Sequence, residues 1–143
     1  MTTASVRIET SGPLFSANAP NIVRRAAQRT VAQLVEIGES KLDQMLRPRP
    51  AGVFLSVSEA RTGQASKGNY RRNLHTVVED LRGVISDGGV VYGPWLEGTG
   101  SRNATTRFKG YSSFRRVGQE LEKQVPTVAR ANVEKAVREL NGT

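Results

Sequence analysis

The 143-residue chain contains no cysteine and only one histidine, His75. Without thiols there is neither a disulfide framework nor a thiolate metal site. One imidazole excludes the multi-histidine zinc arrangements. Aromatic residues are 6% of the chain and hydrophobic residues 37%, with a mean hydropathy of −0.42. These values are low for a self-sufficient monomer, yet not low enough for disorder, so part of the chain is expected to order only against a partner. No apolar run approaches a membrane span, and MTTASVRIETSG has neither the basic nor the apolar segment of a secretion signal. The expectation is a protein made in the cytoplasm, soluble and with no membrane partner. Asn103-Ala104-Thr105 and Asn141-Gly142-Thr143 match the glycosylation pattern and are read as chance.

Catalytic groups are equally scarce. His75 falls in an expected strand, where a lone histidine is more often structural. Glu79-Asp80 is an acidic pair whose ordinary home is a solvated turn between strands. Glu97, two residues after Trp95, reads as a carboxylate that caps backbone amides or pairs with an arginine. Gly98-Thr99-Gly100-Ser101 is half of a phosphate-cradling loop, without the Gly-Lys-Ser/Thr ending that would complete it. No zinc, kinase or hydrolase motif is present. The expectation is no enzyme, no cofactor and no metal.

What the chain does have is positive charge: 21 Lys+Arg against 13 Asp+Glu, a formal +8. Such a balance favours an acidic partner, whether nucleic acid, anionic membrane or a complementary protein surface. The plain alternative is a solvated basic surface that keeps the protein soluble. At this length the chain is most simply one domain, 1–143, able to bury a core without metals or disulfides.

Residues 1–19 read as an N-terminal arm, with Ser5–Glu9 alternating as a short edge strand and a turn-rich stretch after it. A helix is expected from about Pro20 to Leu46, with Asn18 placed to cap it. Val23, Ala27, Thr30, Val31, Leu34, Ile37, Gly38, Leu42 and Met45 share one stripe, and Lys41 interrupts it. At 1.5 Å per residue this helix is about 40 Å long, more than one small sheet needs, so part of it is expected to meet a neighbouring subunit. Arg47-Pro48-Arg49-Pro50 stops it. Residues 47–69 then form a protruding loop bearing Arg47, Arg49, Arg61 and Lys67 as candidate lumen- or partner-facing charges.

Leu74–Val78 and Leu81–Ser86 read as strands joined tightly at Glu79-Asp80. Asp87-Gly88-Gly89 is a strong turn leading to Val90-Val91 as a third strand. The fold class is therefore α+β: an antiparallel sheet of three to four strands packed by a long N-terminal helix and a C-terminal helix, with extended loops. The C-terminal helix spans Ser113 to Leu140. Its apolar stripe shifts at Pro126, which predicts a kink or break there.

Between sheet and C-terminal helix, Val90–Arg116 holds the only tryptophan, two of the three tyrosines and two of the four phenylalanines. A Gly-Pro corner opens a short amphipathic turn at Pro94, and residues 98–113 read as a basic, glycine-rich loop. Tyr92, Trp95, Glu97, Phe108, Tyr111 and Phe114 are the candidate interface residues, since buried aromatics often dominate interface energy. The other reading is ordinary core. Arg102, Arg107 and Lys109 join the candidate partner-facing charges, with Arg115 and Arg116 beside them.

Two segments carry a family resemblance. Lys67-Gly68-Asn69-Tyr70-Arg71-Arg72-Asn73-Leu74 resembles the "TGNLRRSI"-like segment of the HK97 gp10-like proteins of tailed phages. After a short hairpin, Tyr92-Gly93-Pro94-Trp95-Leu96-Glu97-Gly98-Thr99 resembles their "YAPYVEFGT" signature. The likeness extends over about Lys67 to Leu121. Two departures stand out: Glu97 abuts Gly98 where the family has an intervening residue, and a longer loop without proline replaces its "PAQPFLRPAL" segment. The resemblance implies a virion structural protein of the head–tail junction or upper tail: a tail-completion, neck, tail-terminator or minor tail protein, located in the virion and assembled in the bacterial cytoplasm. It implies a homo-oligomeric ring, six-fold like the tail tube it joins, whose neighbours are connector or stopper and tube proteins around a channel that carries DNA. It brings no catalytic residue. The rival from another class is a stand-alone basic nucleic-acid-binding protein, although no DNA-reading module emerges and the basic residues are scattered over several loops.

Overall fold

A computed structural model describes residues 18–47 and 68–142. The expected N-terminal strand at Ser5–Glu9 and most of the 47–69 loop, including Arg49, Arg61 and Lys67, lie outside these residues.

Two long helices form the body. α1 runs Ala19–Met45. Pro20 sits in its first turn, where no intrahelical N–H is needed, and the Ile22 N–H donates to the Asn18 carbonyl at 3.0 Å. α2 is a single turn, Asn69–Arg72. β1 (His75–Glu79) and β2 (Arg82–Ser86) form an antiparallel hairpin. Two short helices follow, α3 (Gly93–Glu97) and α4 (Ser101–Thr105), before α5, Ser113–Asn141.

α1 and α5 pack side by side and antiparallel. Arg29 and Arg25 near the start of α1 reach Glu139 near the end of α5 at 3.0 and 3.5 Å. Asn132 donates to Gln33 at 2.8 Å in the middle, and Lys41 meets Glu120 at 2.5 Å near the other end. Lys41, the residue that interrupts the apolar stripe, thus carries its charge out to the rim while its stem covers the seam. Ile22, Ala26 and Ala136 form one buried cluster, with Leu140 against it. Towards the hairpin, Val35, Leu42 and Val117 are buried, Leu42 being the deepest at 1% exposure. Full burial of one such side chain contributes about 1.5–3 kcal/mol. Seven hydrophobic residues are buried among the described ones, a thin core for two helices of this length.

The hairpin lies on α1. Gly83 faces it so closely that a Cβ would overlap the Val35 side chain, and a Cβ on Gly38 of the helix would meet Ile85 and Leu121. Side chains alternate along a strand, so Val84 and its cross-strand partner Val77 face away from α1. The tip is clamped. Asp80 adopts φ +48°, which aspartate tolerates better than most residues. Its carboxylate accepts from the Arg24 Nε and the Gln28 amide, both at 3.0 Å.

Three sequence expectations are corrected. Among the described residues the sheet has two strands, where three to four were expected. Gly88 and Gly89 both take positive φ, and successive turns at Val90–Tyr92 carry the chain away from β2, leaving Val91 96% exposed. The second concerns Pro126, where a kink or a break was expected: α5 runs through the proline without a break. Third, the buried face of α1 begins at Ile22 and Ala26, one position before the expected Val23 and Ala27.

Candidate functional site

Residues 98–113 are expected from the sequence to be a basic, glycine-rich loop. They fold into a knob around Asn103, which is 5% exposed. Its amide nitrogen donates to the Trp95 and Phe108 carbonyls at 3.0 Å each, and its oxygen accepts from the Gly100 N–H at 3.0 Å. One side chain therefore ties three points of the loop and starts α4. Closure is completed at a backbone crossing where Gly98 (φ +83°) and Gly110 (φ +85°) meet face to face, leaving no room for a Cβ on either. The Tyr111 N–H then donates to the Leu96 carbonyl.

The aromatic candidates divide accordingly. Trp95 and Phe108 stack at 4.6 Å between centroids, and Tyr111 meets Phe108 edge-on at 5.0 Å. These three rings are half-buried within the knob. Phe114 packs edge-on against the buried Tyr70 at 6.4 Å, and Tyr92 leans on the other side of Tyr70 at 6.2 Å while remaining exposed. Tyr70 was not singled out as a site residue, although it lies within the first resemblance segment. It ties Tyr92 and Phe114 to α2.

Glu97 is a tertiary helix cap. α5 begins after Ser112, whose backbone is left-handed (φ +53°) and whose side chain does not cap. Instead Glu97 Oε2 accepts the Phe114 N–H at 3.0 Å, placing a negative charge at the positive end of the helix. The Ser112 hydroxyl bonds to the Glu97 carbonyl at 3.4 Å. The reading of this carboxylate as a cap for backbone amides matches that geometry.

The basic candidates among the described residues do not converge. Lys109 donates to the Asn103 carbonyl at 3.1 Å and so serves the knob itself. Arg47 turns back to Asp43 at 3.1 Å at the far end of α1. Arg102 and Arg107 are exposed on the knob. Arg71 also binds Asp43, and that pair holds the Asp43 carboxyl below its ordinary range, the Arg71 hydrogen bond being the largest cause. Among the described residues no group of three or more acidic or histidine side chains is placed to hold a metal ion, and no helix is long and apolar enough to cross a membrane.

Composition gave no hint of where the unpartnered apolar surface would lie. Between the N-terminal half of α1, the C-terminal half of α5 and the hairpin tip runs an open groove of about 450 Å³. Val23, Ala27, Val31, Leu81, Val133 and Val137 line it. Val23, Leu81 and Val133 are each more than half exposed; Val77 and Val84 are also exposed, on the opposite face of the hairpin and outside the groove. The signal existed in the sequence as the rotated second stripe of α5; its meaning depended on which neighbour α5 has. Compared with models of known protein families, with curated proteins and with solved structures, the chain matches none.

Proposed function

We propose that this chain is a structural subunit of a tailed-phage head–tail junction or upper tail, assembled as a closed ring, six-fold by preference, around the DNA channel. The reading rests first on the two resemblance segments, which in this fold become neighbours: Tyr70 of the first packs on Tyr92 of the second. The observation that carries assembly is the apolar groove between α1, α5 and the hairpin tip. Contiguous exposed apolar surface rimmed by charge marks an interaction site on a soluble protein. The thin core says the same: two long helices leave much of their apolar surface uncovered within one copy. A head-to-tail interface repeated about an axis closes into a ring, and a +8 subunit then makes a strongly basic one. Such a ring suits DNA phosphates in the lumen or acidic faces of the proteins above and below.

Genetics tests the role. In the phage or prophage that encodes this chain, removing its reading frame should yield separate filled heads and tails, rejoined when the chain is supplied in trans. Normal joined particles without it would overturn the proposal. A monomer whose DNA affinity falls steeply with salt would favour the stand-alone nucleic-acid-binding reading instead.

A further inference from the structure

We propose that the concavity bounded by Tyr70, Asp87 and Glu97 is a binding site for an arginine guanidinium. It is about 270 Å³, opens to the surface, and has Ile85, Pro94 and Phe114 as apolar walls. Its polar groups are only partly used by the fold. Tyr70 is 7% exposed, and its buried hydroxyl lies beside the Glu97 and Asp87 carboxylates without a well-formed hydrogen bond to either. Glu97 gives Oε2 to the Phe114 N–H, while Oε1 is buried and unpartnered. Asp87 gives Oδ1 to the Gly89 N–H at 3.0 Å, and its Oδ2 fills the space where a side chain on Gly93 would begin. Two unsatisfied polar atoms in one small concavity are unusual, because buried polar groups ordinarily find partners.

The charge balance selects the ligand. Burial first, then the neighbouring Glu97 and Asp87 charges, push the Tyr70 phenol well above its ordinary range, so it stays neutral. Two carboxylates and a neutral hydroxyl leave the site negative. No ion pair between described residues involves Asp87 or Glu97, in a chain where cations outnumber anions by 21 to 13. Ca²⁺ and Mg²⁺ take six or more oxygen ligands, and the apolar walls cannot supply them. A guanidinium suits these walls better. It is planar, weakly hydrated, packs against aromatic rings, and brings five N–H donors to the hydroxyl and carboxylate oxygens. Lysine's compact, strongly hydrated ammonium fits less well. Sixteen of the 21 basic residues here are arginine, so a second copy of the chain is one source and another protein is the other. The site itself is independent of the phage reading.

The test titrates N-acetyl-arginine methylamide into the ¹⁵N-labelled full chain and follows the Gly93, Thr99 and Phe114 amides. Saturable shifts are expected, at least fivefold weaker with N-acetyl-lysine methylamide. Tyr70→Phe and Asp87→Asn should each weaken the arginine response at least threefold, while the remote Glu122→Gln leaves it unchanged. The amide introduced by Asp87→Asn keeps an acceptor for the Gly89 N–H. If that variant loses its near-ultraviolet circular dichroism, Tyr70→Phe decides alone. Equal responses to arginine and lysine, shifts no larger than sodium chloride causes at the same ionic strength, or saturation by Ca²⁺ without any by arginine would each overturn the proposal. Adding the arginine derivative to the self-associated protein separates the sources: a fall in mass assigns the guanidinium to a second copy, and an unchanged mass assigns it to a different protein.

Discussion

Asn103 is the residue on which the Trp95–Tyr111 region depends. It has three hydrogen bonds at 3.0 Å and almost no exposure. Asn103→Ala leaves two carbonyls and one N–H without it, and each buried polar group so stranded costs about 1–3 kcal/mol. Solvent reaching the opened loop offsets part of that. The expected outcome in chemical denaturation is a loss of about 2–4 kcal/mol, with Trp95 emission shifting to the red in the folded baseline. Unchanged stability would mean that the stacked rings and the Gly98–Gly110 crossing hold the knob without it. The sequence presents Asn103 only as part of a glycosylation pattern, and its burial rules out a glycan at that nitrogen in the folded chain. A side chain that bonds to backbone five and eight residues away leaves no periodic trace. This is why residues 98–113 read as loop. For Glu97 the sequence left two roles open, a cap for backbone amides or an arginine partner; the cap is formed to Phe114, 17 residues on, which no local spacing announces.

At the scale of elements, α1 and the hairpin were readable almost to their ends. Pro20 and the proline pair after Arg47 bracket the helix, and alternation with Glu79-Asp80 at the middle marks the hairpin. Where the sheet ends was not readable, because two glycines allow either a hairpin turn into a third strand or a departure from the sheet. Pro126 offers a direct test. It sits inside α5 at an exposed position, and proline in a helix interior is about 3 kcal/mol less favourable than alanine. Pro126→Ala should therefore raise the melting temperature, by up to about 3 kcal/mol in stability. A decrease would show that the proline shapes the helix for packing.

The pairs that tie elements together also set an acid limit. The Arg24 hydrogen bond first lowers the Asp80 carboxyl, the Lys41 hydrogen bond that of Glu120, and the Arg71 hydrogen bond that of Asp43. A carboxylate depressed in the folded state stabilises above its unfolded value, and that contribution disappears as pH falls through the folded value. Thermal stability should be flat from neutral to mildly acidic pH and fall below about pH 4. Asp80→Asn should make the fall shallower; an identical acid profile would remove the hairpin clamp from the account.

At the scale of the whole molecule, the described residues form a body whose apolar surface is not fully covered. Nothing among the described residues of one copy closes the groove between α1, α5 and the hairpin tip. Val133→Asp replaces a half-exposed valine at its centre with a charge. In an isolated subunit this should cost little, because the position is already wet. In an assembly it places an unpaired carboxylate in a desolvated interface, where the penalty is several-fold larger. The expected outcome is a folded subunit that no longer associates, seen as wild-type circular dichroism with a reduced mass. Loss of folding would instead make the groove part of the core.

The most direct test of the central claim is the mass of the purified chain by sedimentation equilibrium, across a concentration series at moderate salt. The account predicts a closed assembly whose mass is a fixed multiple of the 15.6 kDa subunit, six-fold by preference and constant above a threshold concentration. A mass that remains at one subunit throughout the series, with the groove still open to solvent, would contradict it.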